Sequence, residues 1–253
     1  MKFYSLASGS SGNSFFIDNG RYRILIDVGI THAQIKQKLE SLGYSMESID
    51  FILITHTHND HIKALNSFSM NKVYSSVKVP GIINLIEKNT FIELGDYKIL
   101  SFPLSHDVEC CGYKIISDDE TLIYLTDTGY VNYKVLPHLK DATYYVFESN
   151  HDINMLMNSK RPSFLKTRIL SDIGHLSNED ASEILVNSIG KRTKEIYLAH
   201  ISRDCNTKEL VYKSLISTFN KRNYDYSKLK IQALDKEEIL QGGCLYEEDC
   251  LIG

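Results

Sequence analysis

The stretch Ile54-Thr55-His56-Thr57-His58-Asn59-Asp60-His61-Ile62 (ITHTHNDHI) decides how the rest of the chain is read. It places His56, His58, Asp60 and His61 within six residues. Neutral imidazole and carboxylate are the donors that zinc-like cations take. Phe51, Ile52, Leu53 and Ile54 lead into it, a short apolar run of strand-forming residues. The cluster therefore stands where a buried strand gives way to a loop, a place where α/β proteins position chemistry. One tetrahedral ion takes about four ligands. Alternation lets His56 and His58 point the same way and frees Asp60 and His61 for a second position, so the turn reads as half of a two-metal site.

Composition bounds the rest. The chain has 253 residues, 43% of them hydrophobic and 24% charged, ordinary for a soluble globular protein. A net charge of −4 neither announces nor excludes a nucleic-acid partner, because local patches decide binding. No apolar run reaches the length of a membrane span. The opening MKFYSLASGSSGNS turns to Gly and Ser before a signal-peptide core can form. A cytoplasmic protein with no membrane partner is expected. With no repeat and no Pro- or Gly-rich linker, a single domain over 1–253 is expected as well. Cys110, Cys111, Cys205, Cys244 and Cys250 are scattered and odd in number, which argues against a disulfide framework.

Working outward, strands at 2–7 and 14–18 flank Ser8 to Asn13 (SGSSGN), which is either an anion-facing backbone loop or a tight hairpin. A strand at 22–27 ends in Asp27, a carboxylate suited to backing a metal ligand or to capping the next helix. Thr31 to Leu42 reads as an amphipathic helix stopped by Gly43. A strand at 72–75, a helix near 79–87 and strands at 90–94 and 97–103 follow. His106 comes next, then Cys110 and Cys111 as small buried residues at the start of a strand over 111–117. Leu122 to Leu125 leads to Asp127, a bridging carboxylate or a turn Asp. The run TYYVFE (143–148) ends in Glu148, with Asn150 and His151 just beyond. Residues 153–171 carry Lys160, Arg161, Lys166 and Arg168 and no acid, which suits either a phosphate-containing substrate or a solvated helix face. Gly174-His175 precedes a helix to about Ile189. The strand 195–199 ends in His200, with Asn206 beyond, and a helix over 207–221 and a strand near 229–234 follow. The tail from Lys236 is weakly patterned. Strand after strand ends in His or acid, which calls for two sheets covered by helices, with a dinuclear site along one edge.

HTHNDH at 56–61 followed by His106, Asp127 and His200 resembles the metallo-β-lactamase fold hydrolases in order, residue type and spacing. The resemblance implies an α/β (α+β) chain folded as an αββα sandwich, two mixed β-sheets flanked by helices. LASGSSGNS (6–14), IDVG (26–29), SHD (105–107), TDTG (126–129), ESNHD (148–152), GHLSN (174–178) and LAHISRDCN (198–206) are similar to the YycJ (WalJ) subgroup of metal-dependent exonucleases. Ile201 and Asp204-Cys205 depart from that subgroup's pattern, in the loop after the ligand rather than at it.

The resemblance implies that His56, His58 and His106 hold one metal ion, that Asp60, His61 and His200 hold a second, and that Asp127 bridges them. Zinc or manganese suits such ligands. It further implies that Asp60 orients the attacking water. His175 either donates to the leaving oxygen or stabilises the pentavalent phosphorus, or else makes a helix-capping hydrogen bond. Substrate contacts are expected from Ser10, Asn13, Asn150, His151, Arg161, Lys166, Arg168 and Asn206. The function expected is phosphodiester hydrolysis by a sequence-independent 5′ exonuclease, acting on DNA in preference to RNA. The alternatives are a hydrolase of a cyclic phosphodiester, lactone or thioester, and a metal-binding regulatory protein without turnover. The filled ligand set argues against the last.

Overall fold

Residues 1–245 are described by the structure, a computed structural model. Among them the strands are, in chain order, β1 (Lys2–Ala7), β2 (Ser14–Asp18), β3 (Arg23–Ile26), β4 (Phe51–Leu53), β5 (Val73–Ser75), β6 (Asn84–Leu85), β7 (Phe91–Leu94), β8 (Tyr97–Leu104), β9 (Cys110–Ser117), β10 (Glu120–Leu125), β11 (Tyr144–Glu148), β12 (Glu195–Ala199), β13 (Lys230–Ala233) and β14 (Leu240–Gly243). The α-helices are α1 (His32–Ser41), α2 (Asn59–Ile62), α3 (Leu136–Leu139), α4 (Ile153–Asn158), α5 (Ser163–Ile169), α6 (Asn178–Ser188) and α7 (Lys208–Lys221). The chain divides into two compact units. Of the described residues, one holds 1–101, 115–120 and those from Asp235 on; the other holds 102–114 and 121–234.

The first unit contains a complete seven-stranded sheet in the order β14-β1-β2-β3-β4-β5-β6. β1 pairs antiparallel with β14 and β2, and β2 with β3, while β3 through β6 run parallel. Every residue of β2 is buried, as a strand covered on both faces requires. Ile26 of β3 pairs with Leu53 of β4, so both strands leave the sheet at the same edge. Thr31 caps α1 reciprocally with Gln34, an arrangement that contributes about 1 kcal/mol. Ile35 and Leu39, one helical turn apart, form the buried stripe of α1.

The second sheet has the order β13-β12-β11-β10-β9-β8-β7. β10 through β13 are parallel, with Leu125 opposite Phe147 and Glu148 opposite Ala199. That register brings the carboxyl ends of β10, β11 and β12 side by side within the second unit. α6 and α7 pack on each other, α6 on β11 and α7 on β13. Ser177 caps α6, and Glu179 and Asp180 occupy its electropositive first turn. Among the described residues no helix is long and apolar enough to cross a membrane.

Two sequence expectations are corrected. No helix forms at 79–87. Gly81 takes φ +80°, and the Asn84 amide donates to the carbonyls of Asn71 and Val73 at 3.0 Å. These bonds draw the segment into β6. The weakly patterned tail contains β14, whose LQGG lacks alternation because pairing with β1, rather than an apolar face, holds it. Cys110 and Cys111 are buried, as expected, and neither they nor the buried Cys205 is disulfide-bonded. Cys244 is disulfide-bonded and was not expected to be. Cys250 lies outside the described residues.

Candidate metal centre

In the first unit the chemistry follows from the shared edge of β3 and β4. Just past β4, His56 is fully buried, and α2 carries Asp60 and the fully buried His61. His56 Nε2 lies 3.1 Å from His58 Nδ1, and the rings of His56 and His61 are 4.0 Å apart. Asp60 Oδ2 is 3.8 Å from His61 Nε2. Just past β3, Asp27 turns into the left-handed region at φ +58°. Such a conformation costs a non-glycine residue about 1–2 kcal/mol. There its carboxylate accepts from Thr55 N (2.9 Å), Thr55 Oγ1 (2.9 Å) and His61 Nδ1 (2.7 Å). Burial pushes the Asp27 carboxyl upward, and these donors pull it the other way. With Nδ1–H given to Asp27, His61 keeps Nε2 as its lone-pair nitrogen, the state a metal ligand needs. Of the two roles open to Asp27, the structure selects backing a histidine; Thr31 is the helix cap.

The SGSSGN segment is the hairpin loop between β1 and β2, with Ser10 exposed on it. It is tied to the histidine turn. Asn13 N donates to Asp60 O, Gly29 N to Asn13 O, and Val28 N to His61 O, each at 2.8 Å. The Asn13 amide donates to His61 Nε2 at 2.9 Å. Gly29 permits this close approach, since a Cβ there would stand 1.6 Å from the Asp60 carbonyl oxygen.

In the second unit the carboxyl ends of β10, β11 and β12 supply Asp127, Glu148 and His200. Asp127 (φ +59°) and His200 (φ +54°) are both left-handed, as Asp27 is. Glu148 is fully buried and saturated. Its Oε1 accepts from His175 Nδ1 (2.8 Å) and His200 Nδ1 (2.9 Å), and its Oε2 from Thr128 N (2.9 Å) and Leu176 N (3.3 Å). Burial alone would raise this carboxyl, but the two imidazoles hold it down at about 2. His106 Nδ1 donates to Gly174 O at 3.1 Å, and its Nε2 is 3.2 Å from Asp107, which also pairs with Arg168. Burial pushes His106 downward, favouring the neutral ring. Asp127 Oδ1 lies 3.4 Å from His200 Nε2 and 3.8 Å from His175 Nδ1. The ring of His175 is 5.2 Å from that of His106 and 5.1 Å from that of His200. Ligand atoms of Asp127, Glu148, His175 and His200 lie within 4.8 Å of one another. Imidazole nitrogens and carboxylate oxygens so converged, with Nδ1 of His106 and His200 each bonded from behind, are a donor set that fits a divalent cation.

Glu148 is the participant whose role the sequence reading missed. Its one signal was an acid closing the otherwise uncharged strand YYVFE.

The residues expected to touch substrate fall into two groups. Asn13, Asn150, His151 and Asn206 are buried. The Asn150 amide donates to His200 O at 2.8 Å, and Asn206 exchanges amide hydrogen bonds with Asn178 at 2.9 Å. His151 has no hydrogen-bond partner at either ring nitrogen among the described residues, and burial brings it down to about 4. Ser10, Arg161, Lys166 and Arg168 reach the surface. Arg161 pairs with Asp204 at 3.1 Å, Arg168 pairs with Asp107, and Lys166 donates to Met157 O at 2.6 Å. Lys160 and Phe164 are exposed on the same segment.

The Beta-lactamase superfamily domain matches residues 22–201. The chain is 38% identical over 239 residues to exodeoxyribonuclease WalJ of Streptococcus pneumoniae serotype 2 (strain D39 / NCTC 7466), covering 85% of this chain and 87% of that protein. It is 34% identical over 240 residues to exodeoxyribonuclease YycJ of Bacillus anthracis, covering 88% and 91%. Among solved structures, the metallo-β-lactamase fold protein YhfI from Bacillus subtilis superposes with a TM-score of 0.68 at 16% identity, over 95% of this chain and 99% of that one. The fold expected from sequence is the one observed.

Proposed function

Because the chain belongs to the β-lactamase superfamily, we propose that it is a metal-dependent exonuclease that hydrolyses phosphodiester bonds of DNA from the 5′ end, without regard to base sequence, in the cytoplasm. The observation that carries this reading is similarity along nearly the whole chain to two exodeoxyribonucleases.

In this reading His56, His58 and His106 would hold one divalent ion, Asp60, His61 and His200 would hold the other, and Asp127 would serve both, with zinc or manganese as the metal. When bound, the ions supply Lewis acidity to a phosphoryl oxygen and lower the pKa of a water. The chain's own groups do the rest. Asp27 and Glu148 fix the ring orientation of His61 and His200 by accepting from Nδ1. Asp60, partly exposed, orients the attacking water. His175 is held at Nδ1 by Glu148, and its Nε2 donates the proton that the leaving oxygen requires. Ser10, Arg161, Lys166 and Arg168 contact the strand's backbone, while Asn13, Asn150, His151 and Asn206 act from beneath.

The test is incubation of chelated protein with end-labelled single- and double-stranded DNA and RNA, before and after manganese or zinc is restored. Metal-dependent release of nucleotides from 5′-ended DNA is expected. Degradation of no polymer, with hydrolysis of bis(p-nitrophenyl) phosphate intact, would overturn the nuclease reading in favour of a small phosphodiester substrate.

A further inference from the structure

Beside α1, within the first unit, lies a cavity of about 390 Å³ that the catalytic assignments leave unused. Lys38, Lys63 and Lys236 line it together with Gln34, Gln37 and Ser11. Glu237 is the one carboxylate in that lining. Three lysines lining one concavity concentrate positive charge there, which favours an anion. Lys63 and Lys236 make no salt bridge among the described residues. The Lys38 ammonium donates to the backbone carbonyl of Glu237. Burial pushes it downward while Glu237 and Asp235 pull it up. The amides of Gln34 and Gln37 and the hydroxyl of Ser11 add neutral donors.

Residues 153–171 offer a different kind of surface. There Arg161 and Arg168 already carry carboxylate partners, so an incoming phosphate must displace them. In the α1 cavity Lys63 and Lys236 have no carboxylate partner to displace among the described residues. Two residues of its lining neighbour the histidine turn along the chain or through hydrogen bonds. Lys63 directly follows α2, and Ser11 belongs to the hairpin loop whose Asn13 is bonded to Asp60.

We propose that this cavity is a binding site for backbone phosphates of the polynucleotide strand that passes the histidine turn, an inference that rests on the nuclease reading. Lys63 and Lys236 supply the positive charge, and Gln34, Gln37 and Ser11 hydrogen-bond the phosphoryl oxygens.

The experiment measures binding of a fluorescent, 5′-phosphorylated single-stranded oligothymidylate to the chelated full chain by anisotropy, as a function of salt. Each phosphate that a protein neutralises on a single strand contributes about 0.7 to the log–log salt slope. The double variant Lys63→Ala/Lys236→Ala is expected to bind several-fold more weakly, with its slope reduced by about 1.4. Lys63→Arg/Lys236→Arg should restore the slope, and Lys221→Ala on α7 should leave it unchanged. Thermal unfolding of each variant shows whether the fold is kept. Should the Ala variant retain the wild-type slope, or the wild-type chain fail to bind the oligonucleotide, the proposal is overturned. Because binding is read without metal, the two failures separate. Degradation of DNA with an unchanged slope sinks only the cavity, whereas a reduced slope in a protein that degrades no polymer sinks only the nuclease.

Discussion

Asp27 and Glu148 play the same part in their two units: each is a fully buried carboxylate that takes Nδ1 of a histidine and leaves Nε2 as the acceptor. Replacing Glu148 by Gln keeps the shape but removes the charge that orients His200 and His175. Metal affinity should fall about 10–100-fold, as read by competition with a chromophoric chelator; an unchanged affinity would contradict this role. His151 gives a pH signature. Its pKa is brought from 6.5 down to about 4 by burial. Above pH 6.5 the ring is neutral in both folded and unfolded chains. Between 6.5 and about 4 the unfolded chain takes up a proton that the folded chain refuses, so stability falls as pH drops. Glu148, brought from 4.5 to about 2, adds a further loss only below pH 4.5. Urea midpoints of the chelated protein should therefore decline through the upper window in the wild type. In a folded His151→Gln variant that share of the decline should be absent, and a decline identical to the wild type's would refute the assignment.

At the scale of elements, the site depends on strand ends that turn sharply and on one loop pressed against another. Asp27, Asp127 and His200 each sit just beyond a strand in the left-handed region. Gly29 lets the hairpin loop and the histidine turn meet. Gly29→Ala would set a Cβ 1.6 Å from the Asp60 carbonyl oxygen. It should destabilise the chain by about 1–3 kcal/mol, as overpacking does, and weaken metal binding at His61 as well. Denaturant unfolding and metal titration check the two effects, and a variant normal in both would show that the close approach is dispensable. Most of these elements were legible in the sequence, because apolar runs such as Leu122 to Leu125 end abruptly in chemistry-bearing residues. Where local pattern and long-range pairing disagreed, pattern misled: 79–87 lacks a helix because the Asn84 amide bonds across to Asn71 and Val73, and β14 exists because β1 offers it an edge. The role of Glu148 was hidden for the same reason. Nothing local to YYVFE says that two histidines, one 27 and one 52 residues later, donate to its carboxylate.

For the molecule as a whole, the ligand motif announces the chemistry more clearly than the surface announces the substrate. HTHNDH, His106, Asp127 and His200 stand out as candidate ligands because the residue types that hold metals are few in kind. The cations that would meet a phosphate backbone do not, since pairing decides which are available: among the described residues Arg161 and Arg168 are ion-paired, and Lys63 and Lys236 are not. With a net charge of −4, binding of a polyanion must rest on such local groups, so DNA degradation should slow steeply as salt rises. A rate indifferent to salt would point to a small substrate. The most direct measurement titrates manganese or zinc into the chelated protein while following both bound metal per chain and release of label from linear 5′-labelled DNA. Release should appear as the second equivalent binds, and Asp127→Ala should abolish it. Full DNA degradation by the metal-free chain, or undiminished degradation by Asp127→Ala, would contradict the two-metal assignment.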